Sequence, residues 1–93
     1  MSRINNQLRE AAKTGDAVKV RPLLRDPKCD ALSEDKYGMT ALMAAASSGH
    51  ESCLELLLPV SAPLVKDRQS ETALMRAVAN GNTSCVKILL TSK

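Results

Sequence analysis

Hydrophobic residues recur along the middle of the chain with the spacing of short amphipathic helices. One run occupies positions i, i+3, i+4 and i+7: Leu42, Ala45, Ala46 and Gly49. A few residues later the same spacing is repeated by Leu54, Leu57 and Leu58. This is the periodicity of one face of an α-helix. The pattern therefore predicts two short helices joined by a tight turn.

The same pattern returns 32 residues further on. Residues 40–58 align with residues 72–90 without a gap, and ten of the nineteen positions are identical, where chance gives about one. A fainter copy lies 34 residues earlier, carried by Leu8, Ala11, Gly15, Val20, Leu23 and Leu24. The chain is therefore expected to be one domain, 1–93, of three units at about 5–34, 35–66 and 67–93.

Residues that favour helix ends flank the expected helices. Thr40 and Thr72 are suitable N-caps for first helices, which Gly49 and Gly81 can end in the left-handed conformation. Second helices are expected to start at Asp16, His50 and Asn82, of which His50 is the weakest N-cap, and to end before Pro27 and Pro59. Pro22 falls inside the second helix of unit one, where it removes a hydrogen bond and predicts a kink.

Aligned in this way, the units resemble the ankyrin repeat, whose pattern runs roughly D-x-x-G-x-T-P-L-H-x-A-A-x-x-G-H. Residues 35–50 follow it closely, and unit three matches at Asp67, Thr72, Leu74, Ala77, Gly81, Val86, Leu89 and Leu90. The resemblance covers about residues 5–90. It implies an all-α solenoid of stacked helix-turn-helix units, with projecting β-hairpin-like loops and a concave surface that binds proteins. Stacking is also expected physically, because one unit cannot bury its apolar face alone.

The departures from the family pattern concern the loops and the start of the first helices. Ala41 and Ala73 replace its proline, and Met43 and Met75 replace a histidine that in this family hydrogen-bonds neighbouring loops. Two serines, Ser61 and Ser70, stand where the family has glycine. Those turns therefore lose a residue that takes positive φ without strain.

Composition and charge narrow the function classes. Tyr37 is the only aromatic residue, so the core is expected to consist of thin layers of small aliphatic side chains. The net charge is +3, with seven Lys/Arg against three acids in residues 1–28 and six against seven in the remainder. There is no dense basic stripe and no set of aromatic stacking platforms, so no nucleic-acid partner is expected. The N-terminus lacks the apolar run of a signal peptide and no segment suits a membrane span, so a cytoplasmic or nuclear location is expected.

Candidate chemistry is sparse. Cys53 and Cys85 occupy equivalent apolar positions and are interpreted as core residues, whereas Cys29 is interpreted as an ordinary loop thiol. The single histidine, His50, lies three residues before Cys53, but no further pair completes a metal site. No catalytic motif is present, and Glu51 and Glu55 are interpreted as a solvated helix face. We therefore expect no enzyme activity, no cofactor and no metal.

Binding to a protein partner is the leading functional interpretation. The residues expected to carry it lie in the loops and at the exposed ends of the first helices: Lys36, Tyr37, Met39, Ser47, Ser48, Arg68, Gln69, Glu71, Ala79 and Asn80. Tyr and Arg are enriched at energetically dominant interface positions, and Met adapts its shape. Arg76 is expected either to add a positive contact or to be solvated. The sequence thus predicts a non-catalytic adaptor, scaffold or small regulatory subunit.

The alternative is self-association. Terminal repeats normally carry a polar outer face, whereas unit three ends in the apolar run Cys85-Val86-Lys87-Ile88-Leu89-Leu90. A partly bare final face favours either a homo-oligomer, that is, a structural assembly element, or pairing within a longer repeat array.

Overall fold

The computed structural model describes residues 3–61 and 66–91. This part contains six α-helices and no strand. The helices are α1 (Arg3–Thr14), α2 (Ala17–Arg25), α3 (Ala41–Ser48), α4 (Glu51–Leu57), α5 (Ala73–Ala79) and α6 (Thr83–Thr91), with a 3₁₀ turn at Leu58–Val60 after α4. Each consecutive pair forms one of the units expected from the sequence.

The helices form two layers. In the inner layer α3 packs between α1 and α5, and in the outer layer α4 packs between α2 and α6. Within each unit the inner helix also packs against its outer partner. This arrangement confirms the predicted all-α solenoid of stacked helix-turn-helix units.

The core is built from small side chains, as the composition predicted. All six residues of α3 from Ala41 to Ala46 are buried, because that helix has a neighbour on either side. The larger buried side chains come from the same repeat positions in successive units, for example Leu8 with Leu42 and Val20 with Leu54. Each fully buried leucine contributes about 2 kcal/mol of hydrophobic stabilisation.

The helix ends follow the predicted caps. The Thr40 and Thr72 hydroxyls each accept a hydrogen bond of 3.3 Å from the backbone N–H three residues later. The Asp16 carboxylate accepts one of 3.2 Å from the Lys19 N–H, whereas His50 begins α4 without a side-chain hydrogen bond. Gly49 ends α3 in the left-handed conformation with φ 80°.

Two local features go beyond the prediction. Helix α2 continues through Pro22 to Arg25, so the proline does not end the helix. The Asn82 backbone carbonyl starts α6, but its side-chain amide donates to the carbonyls of Ala46 and Ser47 at 2.8 and 2.9 Å. Asn82 thus joins the third unit to the last turn of α3.

Candidate binding surface

Two loops project from the inner helices, and both are organised by an aspartate. In loop A, residues 35–39, the Asp35 Oδ1 accepts hydrogen bonds from the N–H groups of Tyr37 (2.8 Å) and Met39 (3.0 Å). In loop B, residues 67–71, the Asp67 Oδ1 accepts from Gln69 at 2.8 Å and Glu71 at 3.0 Å. In each loop the aspartate N–H also bonds the carbonyl of the fifth residue. The two loops are therefore β-hairpin-like turns of the same design.

Loops A and B are in direct contact with each other. The Arg68 N–H donates a hydrogen bond of 3.0 Å to the Tyr37 carbonyl. Gly38 lies so close to loop B that a Cβ there would come within 2.9 Å of the Arg68 nitrogen. The loops therefore form one continuous edge above the inner helices.

Loop B is held to α5 by an ion pair. The Arg76 Nε donates to Asp67 Oδ2 at 2.9 Å, and its Nη2 bonds the same oxygen and the Gln69 Oε1, the latter at 3.1 Å. Burial of the Asp67 side chain opposes its charge, but the hydrogen bonds from the Glu71 N–H, the Arg76 side chain and the Gln69 N–H outweigh this and lower its pKa.

Both expectations for Arg76 were therefore wrong. The side chain is neither simply solvated nor free to offer its charge to a partner, because it is bonded within its own unit.

A cleft of about 440 Å³ lies between α1, α3 and loop A, and we call it the α1–α3 cleft. It is lined by Asn6, Arg9, Glu10, Lys13, Asp35, Tyr37, Met39, Ala44, Ser47 and Ser48. The structure thus brings four of the predicted binding residues to one concave site: Tyr37, Met39, Ser47 and Ser48.

A second cleft, of about 330 Å³, lies beneath the joined loops, and we call it the loop cleft. Its lining consists of Tyr37, Met39, Arg68, Gln69 and Arg76. Tyr37 and Met39 belong to both clefts. Tyr37 is 60% exposed and Met39 is half-buried against the core, so one residue offers contact area and the other anchors the surface.

The other four predicted residues lie outside the linings of these two clefts. The Lys36 ammonium sits 5.2 Å from the centre of the Tyr37 ring, and Glu71 lies 3.7 Å from the Arg76 Nε. Asn80 donates to the Ser47 hydroxyl at 3.2 Å and so borders the α1–α3 cleft. Ala79 is exposed at the end of α5.

Sequence reasoning missed the contribution of α1, which supplies Asn6, Arg9, Glu10 and Lys13. The repeat offset of 34 residues places Lys13 at the position of Ser47 and therefore carried the signal for this residue. Arg9 stands at the position of Met43, and its Nη1 bonds the Ser33 carbonyl at 3.1 Å and hydroxyl at 2.9 Å. Arg9 thus links α1 to the chain that leads into loop A.

The remaining candidate groups lie away from both clefts. Cys53 and Cys85 are buried, which confirms their assignment to the core, and burial raises the pKa of each thiol. Burial and then the charges of Asp26 and Asp30 raise the pKa of Cys29, which makes its thiolate scarcer at neutral pH. Among residues 3–61 and 66–91, no three His, Cys, Asp or Glu side chains are grouped as a metal site. Nor does this part of the chain contain a helix long and apolar enough to span a membrane.

The outer face of unit three is open, as the terminal sequence predicted. Val78 of α5 is 60% exposed and Leu90 of α6 is 66% exposed. A shallow cleft of about 260 Å³ on this face is lined by Ala77, Val78, Gly81, Thr83 and Val86. Another, of about 350 Å³, lies between α1 and α2 and contains none of the predicted binding residues.

The stacked helix pairs, the aspartate-centred loops and the concave clefts define a repeat protein of the ankyrin class. The family model described as ankyrin repeats in three copies matches residues 8–93. The chain belongs to the ankyrin-repeat family, whose repeats are a protein-interaction module and whose members are typically non-catalytic.

Two individual proteins illustrate the similarity. Over 59 residues the chain is 39% identical to M-phase phosphoprotein 8 of Mus musculus, a stretch that is 62% of this chain and 7% of the mouse protein. It is also similar to a chain in the structure of the predatory endopeptidase Bd0816 from Bdellovibrio bacteriovorus in complex with immunity protein Bd3460. That match has a TM-score of 0.87 and 36% identity, and it covers 91% of this chain and 45% of the other.

Proposed function

We propose that this chain is an adaptor, scaffold or small regulatory subunit that binds a partner protein through the surface formed by the α1–α3 cleft and the loop cleft. The observation that carries the proposal is that Tyr37 and Met39 line both clefts, so one bound segment can contact them together. Binding in a protein complex, as in the Bd0816 structure, is consistent with this use of the fold.

The surface has the properties of a binding site. Exposed Tyr37 supplies a large amphipathic contact at low conformational cost, while half-buried Met39 can adjust its shape beneath a partner. The backbone under both side chains is fixed by the Asp35 turn and by the bond from loop B. A pre-ordered surface loses little entropy on binding, which favours affinity.

The proposal includes no catalytic step and no cofactor. It treats residues 1–93 as a single binding domain with repeats at about 5–34, 35–66 and 67–93. The cytoplasmic location expected from the sequence stays a prediction.

Affinity capture from matched cell extract tests the proposal. The native chain is compared with a concave variant in which four residues are changed to alanine: Lys36, Tyr37, Arg68 and Gln69. A matched control changes four exposed residues of the outer helices: Arg21, Arg25, Glu55 and Lys87. Both variants must keep the helical circular dichroism of the native chain.

We expect the control to retain the captured protein and the concave variant to lose it, because few residues carry most of the energy of an interface. Equal capture by both variants would show that the concave surface is not the binding site.

The open face of unit three supports a second candidate, self-association. Exposed Val78 and Leu90 lie on the helices that end the stack, and apolar surface of this kind favours pairing. Light scattering over a concentration series, with Val78→Lys as the disrupting variant, tests this candidate. Concentration-dependent mass that the variant abolishes supports it, and a constant monomer mass rules it out.

A further inference from the structure

Loops A and B have the same backbone bonds but differ in one contact of their aspartates. In loop B the second carboxylate oxygen of Asp67 is bonded by Arg76. The residue 32 positions before Arg76 is Ala44. Within residues 3–61 and 66–91, the second oxygen of Asp35 has no hydrogen-bond or ion-pair partner. Unit two therefore has the acceptor of the ion pair without the donor.

The space occupied by the Arg76 side chain in unit three is open in unit two. Asp35 and Ala44 both line the α1–α3 cleft of about 440 Å³. The methyl group of Ala44 forms part of its floor, and the carboxylate of Asp35 stands at its edge as part of loop A. The cleft is thus large enough to admit a side chain that comes from outside.

The residues around this space suit a guanidinium group. The counterparts of Gln69 and Glu71, which surround Arg76, are Tyr37 and Met39 in unit two. A guanidinium stacks well on a tyrosine ring while it bonds a carboxylate, and an ammonium lacks the planar shape needed for both contacts.

We propose that the α1–α3 cleft binds an arginine side chain of the partner protein, whose guanidinium pairs with Asp35 as Arg76 pairs with Asp67. The inference rests on the proposed function and names the chemistry that the concave surface selects.

The other charges of the cleft leave Asp35 as the selecting group. Glu10 and Asp35 balance Arg9 and Lys13, so the lining has no net charge. The Arg9 guanidinium is bonded to Ser33 and to the Asn6 side chain and is not paired with Asp35. An incoming cation therefore finds one carboxylate oxygen without a partner.

The test is a titration of the isotopically labelled native chain, followed by NMR, with N-acetyl-arginine N-methylamide as the probe. The matched probes are the lysine and citrulline analogues, of which citrulline has nearly the shape of arginine but no charge. We expect saturable shifts of the Tyr37, Met39 and Ser47 amides with the arginine probe, at a dissociation constant in the millimolar range. The lysine probe should bind more weakly and the citrulline probe should give no saturable shift.

Two variants assign the contact to Asp35. Asp35→Asn keeps a side-chain oxygen for the two loop hydrogen bonds but removes the charge, and we expect it to weaken the probe about tenfold. Ala44→Arg copies unit three, and we expect its own guanidinium to occupy the cleft and abolish probe binding. Asp30→Asn, which removes an exposed charge outside the cleft, is the control and should leave binding unchanged.

The inference is overturned if the native chain shows no saturable shift with the arginine probe, if citrulline binds equally well, or if both variants keep native affinity. Its failure is separate from failure of the proposed function. A partner that is captured by the native and Asp35→Asn chains alike, but lost with the concave variant, leaves the binding function standing without the arginine contact.

Discussion

Ser70 is the one described residue other than glycine with a positive φ, at 63°. It occupies the position of Gly38 in loop A, which has φ 77°. In this region the Cβ of an L-residue crowds its own backbone, at a cost of about 1–2 kcal/mol. The sequence predicted this strain, because the family pattern has glycine at the position.

Replacement of Ser70 by glycine should therefore stabilise the protein. We expect the free energy of unfolding to rise by about 0.5–1 kcal/mol, since relief of the strain exceeds the extra entropy that glycine loses on folding. Urea denaturation followed by circular dichroism measures the change. Ser70→Ala keeps a Cβ and should give no gain; an equal gain from alanine would show that the strain is not the cause.

Other single residues could not be placed from the sequence. The role of Arg76 depends on the burial of Asp67 nine positions earlier and on the rotamer that joins them, and neither follows from a repeat alignment. Likewise, the Asn82 side chain bonds the preceding unit, whereas local sequence suggested a helix cap. Pattern reasoning identifies the local choices of a side chain, and packing between units decides among them.

At the scale of elements, each projecting loop depends on one carboxylate. Asp67 accepts two backbone N–H groups through one oxygen and Arg76 through the other, with its side chain fully buried. Because its pKa is lowered in the folded state, the ionised form stabilises the fold. That stabilisation is present above the unfolded value of about 3.9 and is lost as the pH falls through the lower folded value.

Asp67→Asn should remove this contribution. We expect the variant to be less stable than the native chain by about 1–3 kcal/mol near neutral pH, because Arg76 loses a charged partner. The difference should shrink below about pH 4, where native Asp67 becomes protonated. Unfolding free energies of both proteins across this range measure the effect. Asp35→Asn, whose loop lacks the ion pair, should cost less at neutral pH, and an equal cost would contradict the assignment.

Elements were more predictable than the surfaces between them. Periodic leucine and alanine, threonine caps and terminal glycines identified the helices, because these signals act within one turn of the chain. The clefts arise where α1, α3 and two loops meet, so they depend on contacts across units. Four predicted binding residues reached the α1–α3 cleft because loop and helix ends share its concave side, while the contribution of α1 was missed.

At the scale of the whole molecule, the position of a unit in the stack decides what its residues contact. Met43 is 1% exposed, and Met75 at the same repeat position is 48% exposed. Ala46 is fully buried beneath unit three, while its counterpart Val78 faces outward. Equivalent sequence positions therefore have unequal effects on stability.

This asymmetry can be measured with two substitutions that exchange the same pair of residues. Ala46→Val adds volume between packed helices and should destabilise the protein by about 1–3 kcal/mol. Val78→Ala removes exposed surface and should change the unfolding free energy by less than about 0.5 kcal/mol. Chemical denaturation of dilute samples provides both values. A large loss from Val78→Ala would mean that another surface covers the face of unit three.

The place of Tyr37 at the border of both clefts has a spectroscopic consequence. The chain contains no tryptophan and no other tyrosine, so its near-ultraviolet emission comes from this one ring. A partner without tryptophan or tyrosine that docks on the concave surface must change the solvent around this fluorophore. Intrinsic emission then reports occupancy directly, without a dye or an engineered label.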